Sequence, residues 1–335
     1  MRYFLNFFIL FGSLALCPFF VSCVTTKPAV APTKEIFFQS KDYVVYSLQG
    51  GETPEQLAER FLGNRKMAWV VEEANPDTIF NRGQVVVIPL KDKNKGGVNA
   101  KGYQTIPVLT YHRFADACKS KLCAPVNVFD RQMKYLKENG YRTITPAELA
   151  AFLQYRRSLP KKSVWITMDD GYRSVYDFAY PVLKKYGFTA TLFVYTDFVG
   201  VSRTAITWEQ LKELKAEGFT VGSHTLSHCD LTKQKDDESD SAMSERITEE
   251  LKRSKAIIDK KLNQDTVLLS YPFGNFDPRV VKLSIEAGYK IAVSVKRGGN
   301  PFFANPLTLK RDQILSRDLD TFASRLKTFN NFPLE

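Results

Sequence analysis

From residue 105 to the C-terminus, short β-branched runs alternate with helical segments, and this alternation limits the fold more than any other feature of the chain. The runs cover 106–110, 142–144, 164–168, 190–195, 219–222, 267–271 and 290–295, seven in all. Between them Thr145-Pro146-Ala147-Glu148 and Thr207-Trp208-Glu209-Gln210 read as capping boxes, and Asp277-Pro278 marks another helix start. Gly140, Gly218 and Gly288 stand where helices should stop. Strand and helix in strict turn predict an α/β fold with a parallel sheet, closed here into a barrel. In such a barrel the chemistry collects at the carboxyl ends of strands, so polar residues just past each run are the first candidates for function.

Three such places stand out. The third run ends in Thr167-Met168-Asp169-Asp170-Gly171-Tyr172, two adjacent carboxylates followed by a residue free to bend the chain. Alone, Asp-Asp-Gly is equally an ordinary turn. The fifth run ends in Ser223-His224-Thr225-Leu226-Ser227-His228, whose histidines, four apart, can present both rings to one metal ion on a helical turn. The chain has only 3 histidines, and the third, His112, directly follows the first run, so every histidine lies at a predicted strand end. Ser270-Tyr271-Pro272-Phe273-Gly274, after the sixth run, is a rigid turn able to aim backbone N–H groups into the barrel mouth.

Together these segments resemble the polysaccharide deacetylases, the NodB-like carbohydrate esterase family 4. "ITMDDGY" matches that family's T-F-D-D-G motif with Met168 for Phe, "HTLSH" its H-[ST]-x-x-H motif, and "SYPFG" its R-x-P-Y motif. Two departures matter: Ser270 stands where many members carry an Arg that orients the catalytic Asp, and no His follows His228 to serve as the L-x-H acid. A subgroup acting on poly-β-1,6-N-acetylglucosamine, with a permuted motif order, also lacks that Arg and takes its acid from an early Y-H motif, which "LTYHRF" fits. The resemblance implies a distorted (β/α)7-type barrel in which Asp170, His224 and His228 hold one divalent cation, most simply zinc. It makes Asp169 the base, His112 the acid and the Phe273 N–H the oxyanion donor, with Tyr172, Tyr271 and Pro272 at the substrate. Arg311, in "LKRDQI", is a candidate to replace the missing Arg. The implied activity is removal of N-acetyl groups from N-acetylglucosamine units. The alternatives are an inactive glycan-binding wall protein and a deacylase of another amide or ester.

The region before residue 105 sets the context. Residues 1–22 form a positively led apolar segment that reads as an export signal, and Phe20-Val21-Ser22-Cys23 resembles a lipobox with Cys23 as the lipidated residue. An uncleaved anchor is the other reading. Residues 23–42 read as a tether, 91–104 as a Lys/Gly/Asn-rich linker and 105–330 as the catalytic domain. Between tether and linker, 43–90 show a βααβ order whose "YVVYSLQGGETPEQLAERF" and "NRGQVVVIP" resemble a LysM domain, which implies binding to peptidoglycan or chitin-like glycans. A formal charge of +11, from 47 Lys+Arg against 36 Asp+Glu, is spread with no long basic block or base-stacking motif. No nucleic-acid partner is expected; polyanionic wall material or a membrane surface is. The expected place is the cell envelope, on a lipid anchor. In an oxidising compartment Cys118 and Cys123 are either a short-loop disulfide or two free thiols, and Cys229 is expected to be a buried thiol.

Overall fold

The structure, a computed structural model, describes residues 35–331; Cys23 and the export segment lie outside them. The first unit comprises β1 (Ile36–Gln39), β2 (Tyr43–Ser47), α1 (Pro54–Leu62), α2 (Ala68–Ala74) and β3 (Val85–Pro89). Helix α1 starts where the sequence says it should: Thr53 and Gln56 cap each other's backbone, Pro54 occupies the first turn and Gly63 ends the helix at φ 71°. Period-two alternation sends Val44, Tyr46, Val86 and Ile88 inward against Leu57, Ala58 and Val71. Asn75 seals the free edge of β3 by bonding both the N–H and the C=O of Val87. Strand β1 lies inside the stretch read as a tether and pairs antiparallel with β2. The unit sits against the larger domain through an Arg142–Glu72 ion pair and through Glu73 and Asp92, which accept from the N–H groups of Lys161 and Ser158 at 2.7 and 2.6 Å.

The larger domain runs β4 (Tyr103–Ile106), β5 (Val108–Tyr111), β6 (Arg113–Ala115), β7 (Cys123–Pro125), α3 (Val126–Glu138), β8 (Arg142–Thr143), α4 (Pro146–Leu153), β9 (Ser163–Met168), α5 (Tyr180–Tyr186), β10 (Thr191–Val194), α6 (Trp208–Ala216), β11 (Thr220–Ser223), α7 (Asp240–Leu262), β12 (Leu268–Ser270), α8 (Pro278–Glu286), β13 (Ile291–Val293), β14 (Asn300–Pro301), β15 (Asp312–Gln313), α9 (Leu319–Ala323) and β16 (Phe329–Asn330). The curled parallel sheet has the order β13-β12-β11-β10-β9-β5-β15. A parallel bridge between Val293 and Leu309 brings the segment that carries β15 back to β13, so the sheet closes into a distorted barrel.

Two of the seven expected runs behave differently. Pro107 cannot donate to a ladder, and it splits the first run: Ile106 belongs to an antiparallel sheet with β14 and β16, and only β5 enters the barrel. The second run, β8, pairs only with the start of β9 and lies off the ring; its place is taken by β15, two residues long and too short to leave a periodic pattern. The charged stretch 233–246 is helix from Asp240 onward, with Ser239 capping it. Trp208 packs against the core at the start of α6.

Alternation along the strands lays out the barrel interior in layers. On β9, Val164, Ile166 and Met168 face the surrounding helices while Trp165 faces the inner cluster, which places Thr167 and Asp169 on the inward side after it. Trp165 meets Phe193, Leu268 and Val293 in an apolar layer. Gly222 makes room for it, since a Cβ there would stand 2.6 Å from the Phe193 ring. Above that layer, Thr110 and Thr167 share a hydrogen bond at 3.1 Å beneath Asp169.

Candidate active site

Asp169 continues the inward face of β9, and its N–H donates to the Tyr111 carbonyl at 2.9 Å. Asp170 is the next residue and would point away from the barrel axis if the strand went on. Instead Asp170 and Gly171 both take left-handed backbone, φ 74° and 78°, and the turn brings the second carboxylate to the mouth. A side chain at Gly171 would add to that strain and press on Val194 at 3.1 Å.

Asp169 is 2% exposed and held by Arg311, itself fully buried. Arg311 Nη1 donates to Asp169 Oδ1 at 2.8 Å and Nη2 to Oδ2 at 2.7 Å, a bidentate clamp. Its remaining donors reach Ser294 O at 2.7 Å, Thr167 Oγ1 at 3.1 Å and Ser270 Oγ at 2.8 Å, so all five N–H groups are satisfied. Ser270 Oγ in turn donates to Asp169 Oδ2 at 3.1 Å. Burial pushes the Asp169 carboxyl up, but the Arg311 and His224 charges outweigh it and hold the group below the ordinary carboxylate value.

The second cluster is Asp170, His224 and His228. Their donor atoms lie within 4.8 Å of one another, with His224 Nε2 at 3.5 Å and His228 Nε2 at 3.4 Å from Asp170 Oδ1. Donors about 2.0–2.2 Å from a tetrahedral zinc stand about 3.3–3.6 Å apart, so the spacing fits one such cation. The chemistry of the donors fits as well. The Ser270 carbonyl can only accept, so its 2.7 Å bond to His224 Nδ1 puts the ring proton there and leaves the Nε2 lone pair facing Asp170. Burial raises the Asp170 carboxyl, yet the two histidine rings beside it lower it far more; His224 is held above the usual histidine value because Asp169 and Asp170 outweigh its burial.

The two histidines do not sit on a helical turn, contrary to the expectation from their spacing. Residues 224–228 form an irregular turn in which Thr225 and His228 have φ 70° and 63°. It is stabilised from outside: Glu250 of α7 accepts from the N–H groups of Leu226 and Ser227, each at 3.0 Å, and from Ser227 Oγ at 2.6 Å. Thr225 Oγ1 accepts from the His228 N–H at 3.1 Å. Asp170, Thr225, His228 and Phe273 together place four left-handed non-glycine residues at this mouth, the kind of strain that functional sites store.

His112, just past β5, is mostly buried, and burial lowers its pKa despite the Asp169 and Asp170 charges that raise it. Phe273 has φ 59°, and its exposed ring packs edge-on against His228 at 4.8 Å, while the Tyr195 ring lies 5.3 Å from the same imidazole. Tyr172 is half-buried, edge-on to Phe198, with the Arg113 guanidinium 5.1 Å over its ring. Tyr271 and Pro272, expected at the substrate, are instead buried; Tyr271 is 0% exposed and its hydroxyl donates to Leu307 O at 2.9 Å inside a core cluster. The sequence motif located the turn, but the inward period of β12 gives the site Ser270 and turns the next side chain into the core. Cys118 and Cys123 are joined in a disulfide, and Cys229 is a half-buried free thiol against which Arg246 donates at 3.8 Å. Glu250 was missed, because one glutamate among the charged residues of a long helix carries no signal.

Comparison with known proteins agrees with this geometry. A family profile described as polysaccharide deacetylase matches residues 156–292. YxkH of Bacillus subtilis, named for the same family, is 33% identical over 208 residues, spanning 62% of this chain and 71% of YxkH. The poly-β-1,6-N-acetyl-D-glucosamine N-deacetylase of Staphylococcus aureus is 29% identical over 211 residues, 61% of this chain and 71% of that protein. Among solved structures, the Streptococcus pyogenes deacetylase PplD in complex with acetate superposes with TM-score 0.61 at 30% identity, covering 67% of this chain and 98% of PplD. On its motifs, its barrel and these relatives, the chain belongs to the polysaccharide deacetylase family.

Proposed function

We propose that the protein hydrolyses N-acetyl groups from N-acetylglucosamine units of an envelope or exported polysaccharide, releasing acetate, with a divalent cation, zinc foremost, held by Asp170, His224 and His228. The observation that carries this reading is a buried carboxylate kept ionised by Arg311 directly beside three donors spaced for one cation. When bound, the cation would polarise the acetyl oxygen and acidify water. Three of the roughly four lone-pair positions of Asp169 are taken by Arg311 and Ser270, so one remains to accept the proton of the attacking water. The Phe273 N–H would donate to the developing oxyanion, and His112 would pass a proton to the sugar nitrogen as the C–N bond breaks. Acetate and a glucosamine unit leave.

The names of the relatives support a polysaccharide acetyl group as target: one acts on poly-β-1,6-N-acetyl-D-glucosamine and another is seen with acetate. The 36–89 unit, with two helices packed on one face of a three-stranded sheet, supports a LysM-type glycan module, and Cys23 a lipid anchor holding the chain at the cell envelope. The test is acetate release from matched β-1,4 and β-1,6 N-acetylglucosamine oligomers and from peptidoglycan, with and without chelator. Chelator-sensitive release is expected, and the preferred linkage names the polymer. Release that survives complete metal removal would overturn the mechanism.

A further inference from the structure

Next to the catalytic mouth lies a second concavity of about 610 Å³, within the range of ligand sites. One wall is β6 and the disulfide-closed loop 118–123, the floor is Tyr172 to Ser174, and the far wall is Arg203 and Thr204. The walls are fixed by backbone bonds. Arg113 N–H donates to Leu122 O at 3.1 Å, Arg173 N–H to Thr204 O at 2.8 Å and Phe114 N–H to Ser174 Oγ at 3.1 Å. Tyr172 joins this cleft to the active site, since it lines the cleft, follows Asp170-Gly171 directly and carries the Arg113 guanidinium 5.1 Å over its ring.

The lining is basic. Arg113, Lys119, Arg173 and Arg203 face a single carboxylate, Asp177, and that one is paired to Arg173 at 3.2 Å. No carboxylate among the described residues pairs with Arg113, Lys119 or Arg203, and Arg113 is braced over the Tyr172 face with its edge donors free. A neutral glycan chain needs hydroxyl partners and aromatic faces. Three unpaired cations in a walled cleft contiguous with the catalytic residues instead fit anionic groups, to which guanidinium and ammonium make charge-assisted bonds. Resting on the deacetylase reading above, we propose that this cleft selects a glycan carrying carboxylate or phosphate substituents on sugars neighbouring the one that is deacetylated.

The test measures kcat and KM of the whole chain for acetate release from neutral N-acetylglucosamine oligomers, from glycan strands of equal length bearing a carboxylate on alternate sugars, and from phosphate-bearing strands, over a range of salt. The anionic strands should show the higher kcat/KM, an advantage that shrinks with salt. Lys119→Glu and Arg203→Glu should each lower the anionic-to-neutral ratio of kcat/KM about tenfold, chiefly through KM. Lys260→Glu, the same charge change on the distant exposed end of α7, should leave that ratio in place. Which strand responds more tells carboxylate from phosphate. A ratio unmoved by Lys119→Glu and Arg203→Glu, or moved equally by Lys260→Glu, overturns the proposal. Should the wild-type chain release no acetate at all, the deacetylase reading falls separately, and titration of Asp169→Asn with anionic against neutral strands still decides the cleft: equal affinity would sink it.

Discussion

The two ends of the barrel interior are built from the same strands and hold opposite contents. At the strand starts, Pro146, Ala150, Leu153, Phe219, Val267, Leu268 and Ile291 line an apolar groove of about 520 Å³, over the layer of Trp165 and Phe193. At the strand ends sit Asp169, Asp170, His224, Ser270 and Arg311, with four strained backbone positions and a clamp that leaves no guanidinium donor unused. One end is selected for volume and the other for charge. In a parallel barrel the starts of strands secure stability and their ends carry chemistry, so substitutions at the two ends should fail in different ways.

The largest expected effect is at the mouth. Asp169→Asn keeps the volume but removes the base, and kcat for acetate release per folded molecule should fall by about 10²–10⁴-fold; it also leaves the buried Arg311 without its anion, so the melting temperature should fall as well. An Asp169→Asn protein that keeps its kcat per folded molecule would erase the distinction between the ends. Arg311→Met should follow, and it sharpens the comparison because it leaves Asp169 buried and unpaired. Breaking one side of a buried ion pair costs about 3–5 kcal/mol. In the wild type the Asp169 carboxyl is depressed, so its contribution to stability is present above the ordinary carboxylate pKa of about 3.9 and is lost only as pH falls below that. Without Arg311, burial dominates and raises the group, and the sign reverses: stability should then decline as pH rises above about 3.9. Urea denaturation of both proteins between acid and neutral pH measures this directly, and parallel curves would refute it.

At the other end, Leu268→Ala removes a side chain that fills the inner apolar layer beside the groove. About 2–5 kcal/mol of stability should go, with kcat per folded molecule unchanged. A drop in kcat at full folding would show that the apolar layer positions the catalytic one above it.

How much of this was legible in the sequence depends on how local the cause is. Capping at Thr53, Thr145, Thr207 and Asp277 is decided within four residues, and the structure has each of those caps. The strand ends carrying Asp169, Asp170, His224 and His228 could be read because runs of β-branched residues announce them. Barrel closure could not, since β15 is two residues long and is ordered by what it pairs with. The convergence of the two histidines was right in outcome and different in cause: left-handed backbone at Thr225 and His228 achieves what a helical turn was expected to do. Arg311 lies 142 residues from Asp169, a distance at which sequence gives only a candidate, and the structure shows the bidentate contact. Tyr271 and Pro272 misled because a motif fixes where the turn is and says nothing of which side chains face outward.

Glu250 offers the smallest and most discriminating test, because it touches the site only through other residues. It is nearly buried, and its two oxygens take the N–H groups of Leu226 and Ser227 and the Ser227 hydroxyl, tying the strained turn to α7. Glu250→Gln retains the shape but replaces one acceptor oxygen by a donor, which confronts groups that themselves donate. The turn should loosen, and since His228 follows it directly, the affinity for the divalent cation should fall about 10–100-fold, the usual range for residues that orient a ligand from behind. With saturating zinc, kcat should recover most of the way, whereas Asp169→Asn stays inactive at any metal concentration. Zinc titration followed by calorimetry and by acetate release separates the two outcomes. If Glu250→Gln instead binds zinc as tightly as the wild type, the geometry at the mouth is set by the strand ends alone, and the helix that braces the turn adds only stability.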